Sequence, residues 1–369
     1  MNIQNGIIFG TDNEFHKGSL AVSGEIITSY SDDEEVIDAS NLYIIPGLTD
    51  IHFHGANGYD FCDGTIEAFS AIHDYELEHG ITNICPATMT LPESELTRIL
   101  SEAKRFSQTC RNFAGVYLEG PFISRSKIGA QNPEYISRPD VDMLTRLQNV
   151  SGNMIRIAVV APEVEDAMSF IDEAKDIMKV SAAHTSCDYD TAREAFTKGA
   201  SQVTHLYNAM NPIKHREPGP IIAALENENV SVELICDGIH IHPAVVRSTI
   251  KAFGAERVIF ISDSMEATGM PDGEYMLGGQ KVIKKGNKAT LDDGITIAGS
   301  VTNLMDCMRI SVKNMGVKLE DAVTCSAINP ARAIGINAMI REGNTANLIA
   351  LDRELNIVWI MNRGRMIHQ

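Results

Sequence analysis

The stretch LTDIHFHG, Leu48 to Gly55, sets two histidines one residue apart just after an aspartate. In an extended chain alternate side chains share a face, so His52 and His54 would point one way and Phe53 the other. Two imidazoles converging at a strand end can hold a metal; they can equally be a half-exposed pair with no further role. Residues of metal-ligand type recur further on: Glu119 in YLEGP, His184 in SAAHT, His205 in VTHLYNAM, His240 in CDGIH and Asp263 in FISDS. Each alone has a plain structural use. A histidine at a strand end is commonly hydrogen-bonded, an aspartate after a strand commonly caps a helix, and a glutamate before Gly-Pro can simply be solvated.

Rigid elements must bring such residues together. LTDIHFHG, ITNICPATMT, FAGVYLEGP, IRIAVVAPE, VSAAHT, QVTHLYNAM, VSVELICDGIH and VIFISDSM read as eight candidate strands. Between them lie helical patterns with apolar residues at 3.6-type spacing, as over 92–108 and 164–178. Strands alternating with helices predict a parallel sheet. Eight units across residues 48–335 predict an α/β fold, a closed (β/α)8 TIM-like barrel, rather than an open doubly wound sheet. No Gly-x-Gly-x-x-Gly follows the first strand, against dinucleotide binding. Residues 1–47 and 336–369 read as short strands with turns, and the simplest arrangement pairs them in one small β-sandwich beside the barrel.

In such a barrel the functional groups sit at the C-terminal ends of the strands. His52, His54, Glu119, His184, His205, His240 and Asp263 all fall there, which chance placement does not explain. Neutral imidazole and carboxylate oxygen suit Zn²⁺ or Fe²⁺, and the absence of Cys-x-x-Cys spacing argues against a closed structural zinc. An open coordination position would hold a water and lower its pKa toward neutrality. A carboxylate beside that water can take its proton and later deliver it to a leaving group, and Asp263 is the candidate. The expected class is metal-assisted hydrolysis.

The bulk numbers narrow the partners. The 369 residues are 44% hydrophobic, enough for a large core, and carry a formal net charge of −18. That charge argues against a nucleic-acid partner or an anionic membrane surface, and it obliges any anionic substrate to meet a local basic device. No apolar run approaches the ~18 residues of a membrane span, and MNIQNGIIFGTDNEF lacks the features of a signal peptide. Seven scattered cysteines (Cys62, Cys85, Cys110, Cys187, Cys236, Cys307 and Cys325) fit reduced thiols in a cytoplasm.

Taken in order, PGLTDIHFHG, GVYLEGPF, AAHTSCDY, VTHLYNAMNP, HREPG, ICDGIHIHP, SDSMEATG and NPARAIG resemble the amidohydrolase superfamily and, within it, the N-acetylglucosamine-6-phosphate deacetylase family. The resemblance implies hydrolysis of N-acetyl-D-glucosamine 6-phosphate to D-glucosamine 6-phosphate and acetate in amino-sugar metabolism. It implies that Glu119, His184 and His205 hold the principal divalent metal and that Asp263 is general base and acid. It further implies that Asn208 and Ala209 of YNAM, Ala130 and Gln131 of KIGAQNP, and Ile297, Ala298 and Gly299 of TIAGS meet the substrate. Arg216 of HREPG and His240 would hold the phosphate, the arginine reaching the neighbouring site of a homodimer. Some members lack the His-x-His pair and use one metal. Here both histidines are present, which favours a second metal bridged through Glu119 with Asp263 as a further ligand, and Asp50 supporting the histidines from behind. Gln131 stands where some members place a histidine that polarises the carbonyl; it could donate only an uncharged hydrogen bond.

Other readings compete. Cyclic-amide hydrolases of the dihydroorotase or hydantoinase type share His-x-His but bridge their metals with a carboxylated lysine from strand four, and IRIAVVAPE has no lysine. A deacetylase acting on N-acetylgalactosamine 6-phosphate differs in how one hydroxyl is read, which these motifs do not separate. A non-catalytic sugar-phosphate-binding barrel would be expected to lose Asp263 or a ligand, and none is lost.

Overall fold

The computed structural model of the chain describes all residues except Tyr30, Ser31, Asp33, Glu34 and Gln369. The eight barrel strands follow the order read from the sequence. They are β1 (Leu48–Asp50), β2 (Ile81–Ile84, resumed at Ala87–Thr88), β3 (Val116–Leu118), β4 (Ile155–Val160), β5 (Lys179–Ala182), β6 (Gln202–Val203), β7 (Ser231–Ile235) and β8 (Val258–Ile261). Consecutive strands pair in parallel throughout. β2 breaks at Cys85-Pro86, where proline has no N–H for the ladder. The ring closes at its mouth: the Asp263 N–H donates to the His52 carbonyl at 3.0 Å, and the His54 N–H to the Ser264 carbonyl at 2.7 Å.

The period of two decides which residues fill the barrel. Ile157 and Val159 of β4 join Ile51, Tyr117, Ile235, Ile259 and Ile261 in the inner cluster. Ala158 and Val160, their neighbours in sequence, pack outward against the helices. The Glu93–Ser107 helix buries Leu96, Ile99, Leu100, Ala103 and Phe106 along one stripe, as its spacing predicts. The helix expected over 164–178 is shorter, Ala167–Ala174, because Asp166 takes φ +69° and the chain cannot continue helically through it. Asp140, Asp188 and Asn303 cap the helices that follow them by accepting the N–H of Met143, Thr191 and Asp306.

Two further sheets flank the barrel. Strands Gly273–Leu277, Gln280–Lys285 and Lys288–Leu291 form an antiparallel meander between β8 and the helix Leu304–Lys313, an excursion the βα pattern does not announce. Its first turn is a two-residue loop in which Gly278 and Gly279 take φ +56° and +82°, as a type I′ hairpin requires. Among the described residues, eight strands from the two ends of the chain make the other sheet. Tyr43–Pro46 pairs with Leu348–Leu351 and joins the N-terminal strands to the C-terminal ones. The sheet curls back on itself, with Ile26 bridging Thr345, and encloses Ile3, Val22, Ile27, Leu348, Trp359 and Met361. No helix among the described residues is long and apolar enough to cross a membrane. All seven cysteines are free thiols.

Candidate metal centre

At the mouth, several strands end in a left-handed residue. His184 has φ +43°, His205 φ +29° and Asp263 φ +50°. Such a conformation costs a non-glycine residue about 1–3 kcal/mol and persists only where its surroundings enforce it. Here it re-aims side chains. Val180 and Ala182 of β5 pack outward, so strict alternation would send His184 the same way; the turn at φ +43° brings it inside. Phe53 packs in the outer layer while His52 and His54 face the mouth, as their spacing predicts. Gly120 follows Glu119 with φ +89°, and a Cβ there would lie 2.1 Å from Thr90 Oγ1, so the turn after this glutamate needs glycine.

The re-aimed side chains converge on one carboxylate. Glu119 Oε1 lies 3.2 Å from His184 Nε2, 3.1 Å from His205 Nε2 and 3.4 Å from His52 Nε2. Glu119 Oε2 lies 3.3 Å from His54 Nε2, which is also 3.3 Å from Asp263 Oδ1. Among the described residues two trios could therefore hold an ion, His52–His54–Glu119 and Glu119–His184–His205, and they share Glu119. The donors are buried, and His52 Nε2 has no hydrogen-bond partner. Spacings of 3.1–3.4 Å match the edge of a tetrahedron, ~3.3 Å, around an ion bound at zinc-like distances.

Above these groups opens a cleft of about 220 Å³. Ala130, Gln131, Asn208, Ala209, His240, Ile297 and Gly299 line it, together with Met89, Leu277 and Thr296, which the motifs did not single out. Ala298 does not line it: its side chain sits in the apolar cluster of Met89, Met265 and Leu277. Gln131 Nε2 donates to Glu119 Oε2 at 2.6 Å while its Oε1 accepts the Thr90 N–H. Arg216 is not in the cleft of its own chain; it lies exposed on a neighbouring pocket beside Asp188, Asn211 and Lys214. Asp50 supports the histidines through the backbone, accepting the His52 N–H at 3.2 Å.

The amidohydrolase family model matches residues 43–367. The chain belongs to the amidohydrolase family. It is 32% identical to the N-acetylglucosamine-6-phosphate deacetylase of Bacillus subtilis (strain 168), over 96% of this chain and 94% of that one. It is also 32% identical to the N-acetylgalactosamine-6-phosphate deacetylase of Escherichia coli O157:H7, over 88% and 87%. An Asp-to-Ala mutant of N-acetyl-D-glucosamine-6-phosphate deacetylase from Mycobacterium smegmatis, solved in complex with N-acetyl-D-glucosamine-6-phosphate, superposes with a TM-score of 0.95 at 29% identity, covering 100% of this chain and 99% of that one.

Membership implies a divalent metal, and the electrostatics of this amidohydrolase agree with the donor set. Burial pushes the Glu119 carboxyl up, but His52, His184 and His205 outweigh it and hold it well below the usual carboxylate range. Burial pushes the His52 and His54 imidazoles down; Glu119 with Glu233 at the first, and Asp263 with Glu119 at the second, raise them instead, His54 to about 9. The metal-free cluster therefore carries protons at neutral pH that an ion must displace. Apparent metal affinity should rise with pH between 6 and 8, about tenfold per pH unit for each proton released. Competitive metal titrations at three pH values check this, and a pH-independent affinity would contradict it.

Distant groups fix the ligands. Glu233 on β7 faces His52 Nδ1 at 3.0 Å and accepts the His205 N–H at 3.1 Å. The Lys127 carbonyl lies 2.8 Å from His184 Nδ1. Asp237 accepts the N–H groups of Ile239 and His240 and lies 2.7 Å from His240 Nδ1. Burial lowers the His240 imidazole, yet Asp237 outweighs it and raises it, favouring a cation on the cleft wall.

Proposed function

We propose that this amidohydrolase removes the acetyl group of N-acetyl-D-glucosamine 6-phosphate, giving D-glucosamine 6-phosphate and acetate. What carries the reading is Glu119 shared by two histidine pairs, with Asp263 beside them under a cleft sized for a small ligand. Glu119, His184 and His205 would hold the principal ion, Zn²⁺ or Fe²⁺; His52 and His54, with Glu119 and Asp263, would hold a second. Such a metal would supply Lewis-acid polarisation of the amide carbonyl and a water of lowered pKa.

The protein's own groups do the rest. Asp263 Oδ1 faces His54, which leaves Oδ2 to take the proton from the attacking water. Water oxygen adds to the carbonyl carbon, the C–N bond breaks, and Asp263 returns the proton to the departing sugar nitrogen. Gln131 holds the Glu119 carboxylate. Free cysteines throughout fit a reducing cytoplasm.

A second copy of the chain would complete the phosphate site in this reading. Among the described residues no lysine or arginine lines the cleft, where His240 is the cation candidate outside the two trios. Exposed Arg216, on the loop before the Gly219–Glu226 helix, would complete the partner's site, since a guanidinium can grip phosphate through two donors. Arg216→Ala should raise KM for the phosphorylated sugar by roughly 10–100-fold, the worth of a charge-assisted hydrogen bond, with a smaller change in kcat. Steady-state kinetics test this, and an unchanged KM would remove Arg216 from the phosphate site. The galacto epimer belongs in the same assay, because the Escherichia coli relative named for it is as similar as the Bacillus subtilis one. A higher kcat/KM for the galacto sugar would reassign the substrate but not the reaction.

A further inference from the structure

Glu233 stands in the middle of β7, fully buried, with no lysine or arginine among its hydrogen-bond partners. It meets three groups: Oε1 accepts from Gln202 Nε2 at 2.5 Å, and Oε2 lies 3.0 Å from His52 Nδ1 and accepts the His205 N–H at 3.1 Å. A carboxylate taken wholly out of water costs several kcal/mol unless positive charge and donors compensate it. One of its three partners is the His52 imidazole, whose other nitrogen has no hydrogen-bond partner and lies 3.4 Å from Glu119. The His52 ring is also stacked on Tyr117, with centroids 4.5 Å apart and planes 28° apart, so packing as well as the hydrogen bond fixes its orientation.

We infer that Glu233 is a positioning residue that makes His52 a strong donor for the ion of the His52–His54–Glu119 trio. This rests on the two-ion reading of the centre. Accepting the Nδ1 proton fixes the tautomer with the lone pair on Nε2, aims that pair at the shared carboxylate, and raises the basicity of the ring. The arrangement is selective. Glu233 touches the other trio only through the His205 backbone N–H, a contact that a neutral amide oxygen would keep.

Glu233→Gln is isosteric and tests the point on the metal-loaded protein. Gln202 Oε1 has no partner at present, so a flip of the Gln202 amide can satisfy the new NH₂ group. Ions per chain are counted after dialysis against graded chelator. The wild type should hold two ions, and Glu233→Gln should weaken the more labile one by about 10–100-fold while the tighter one is unchanged, the range for loss of a supporting carboxylate. Equal retention of both ions, or parallel loss of both, would overturn the inference. If the variant does not fold, Glu233→Gln combined with Gln202→Glu returns a carboxylate to the buried pair but leaves a neutral oxygen on His52. That double variant should still show the weak second ion, and wild-type affinity in it would overturn the proposal. A wild type that binds a single ion sinks the two-ion reading and this inference together. A wild type that binds two ions but releases no acetate sinks the substrate reading and leaves Glu233 in place.

Discussion

Asp263→Asn should bind metal and sugar phosphate and turn over about 10²–10⁴-fold more slowly, the range for loss of a general acid–base group. The variant keeps the shape and one acceptor oxygen but has no site that can take and return a proton. It should also fold. Asp263 holds φ +50°, a conformation asparagine tolerates better than most residues, and its backbone N–H and carbonyl, which bond His52 and Ser300, are untouched. The native group is in the unprotonated form that a base needs. Burial pushes its carboxyl up, but the contact with His54 and the nearby His52 outweigh that and hold it below the usual range. It is therefore ionised at neutral pH. Single-turnover rates with metal content measured alongside give the test, and near-wild-type turnover would remove Asp263 from proton transfer.

Glu119→Gln should have the other large effect, on both ions at once. Its carboxylate belongs to each trio, with Oε1 toward His184 and His205 and Oε2 toward His54. A carboxamide removes the negative charge that both ions would share and sets an NH₂ donor toward one of the two trios. The affinity loss at each ion should exceed the ~10–100-fold that follows loss of a supporting hydrogen bond alone. Activity should fall with metal content and return only at metal concentrations far above those the wild type needs. His54→Asn, by contrast, should cost chiefly one ion. Metal counting on the two variants separates them, and a Glu119→Gln protein that keeps both ions would show that the carboxylate does not bridge.

Much of this was legible because barrels are written locally. Strand runs and 3.6-period stripes gave the eight βα units in order, and the polar residues at strand ends include the histidines and carboxylates that the fold brings together at the mouth. What stayed hidden depends on pairings remote in sequence. Glu233 reads as one polar residue inside a β-rich run, and only folding brings it to His52, 181 positions away. Gln131, expected near the substrate, does line the cleft, but its bond to Glu119 had no signal in the motif around it. The left-handed turns at His184 and His205 have no marker in the sequence, since neither residue is glycine or asparagine. The meander was a different case. Gly278-Gly279 and Gly286-Asn287, flanked by alternating residues, are hairpin signals, and reading them would have placed Leu277 and Thr296 near the mouth.

The account is tested most directly by acetate release from N-acetyl-D-glucosamine 6-phosphate by metal-loaded protein, beside the unphosphorylated sugar, before and after chelation. It predicts one acetate and one free amine per sugar consumed, far slower turnover without the phosphate, loss of activity on chelation and its return with added divalent metal. Undiminished activity in fully metal-depleted protein, or no acetate from a protein shown to hold its ions, would contradict it.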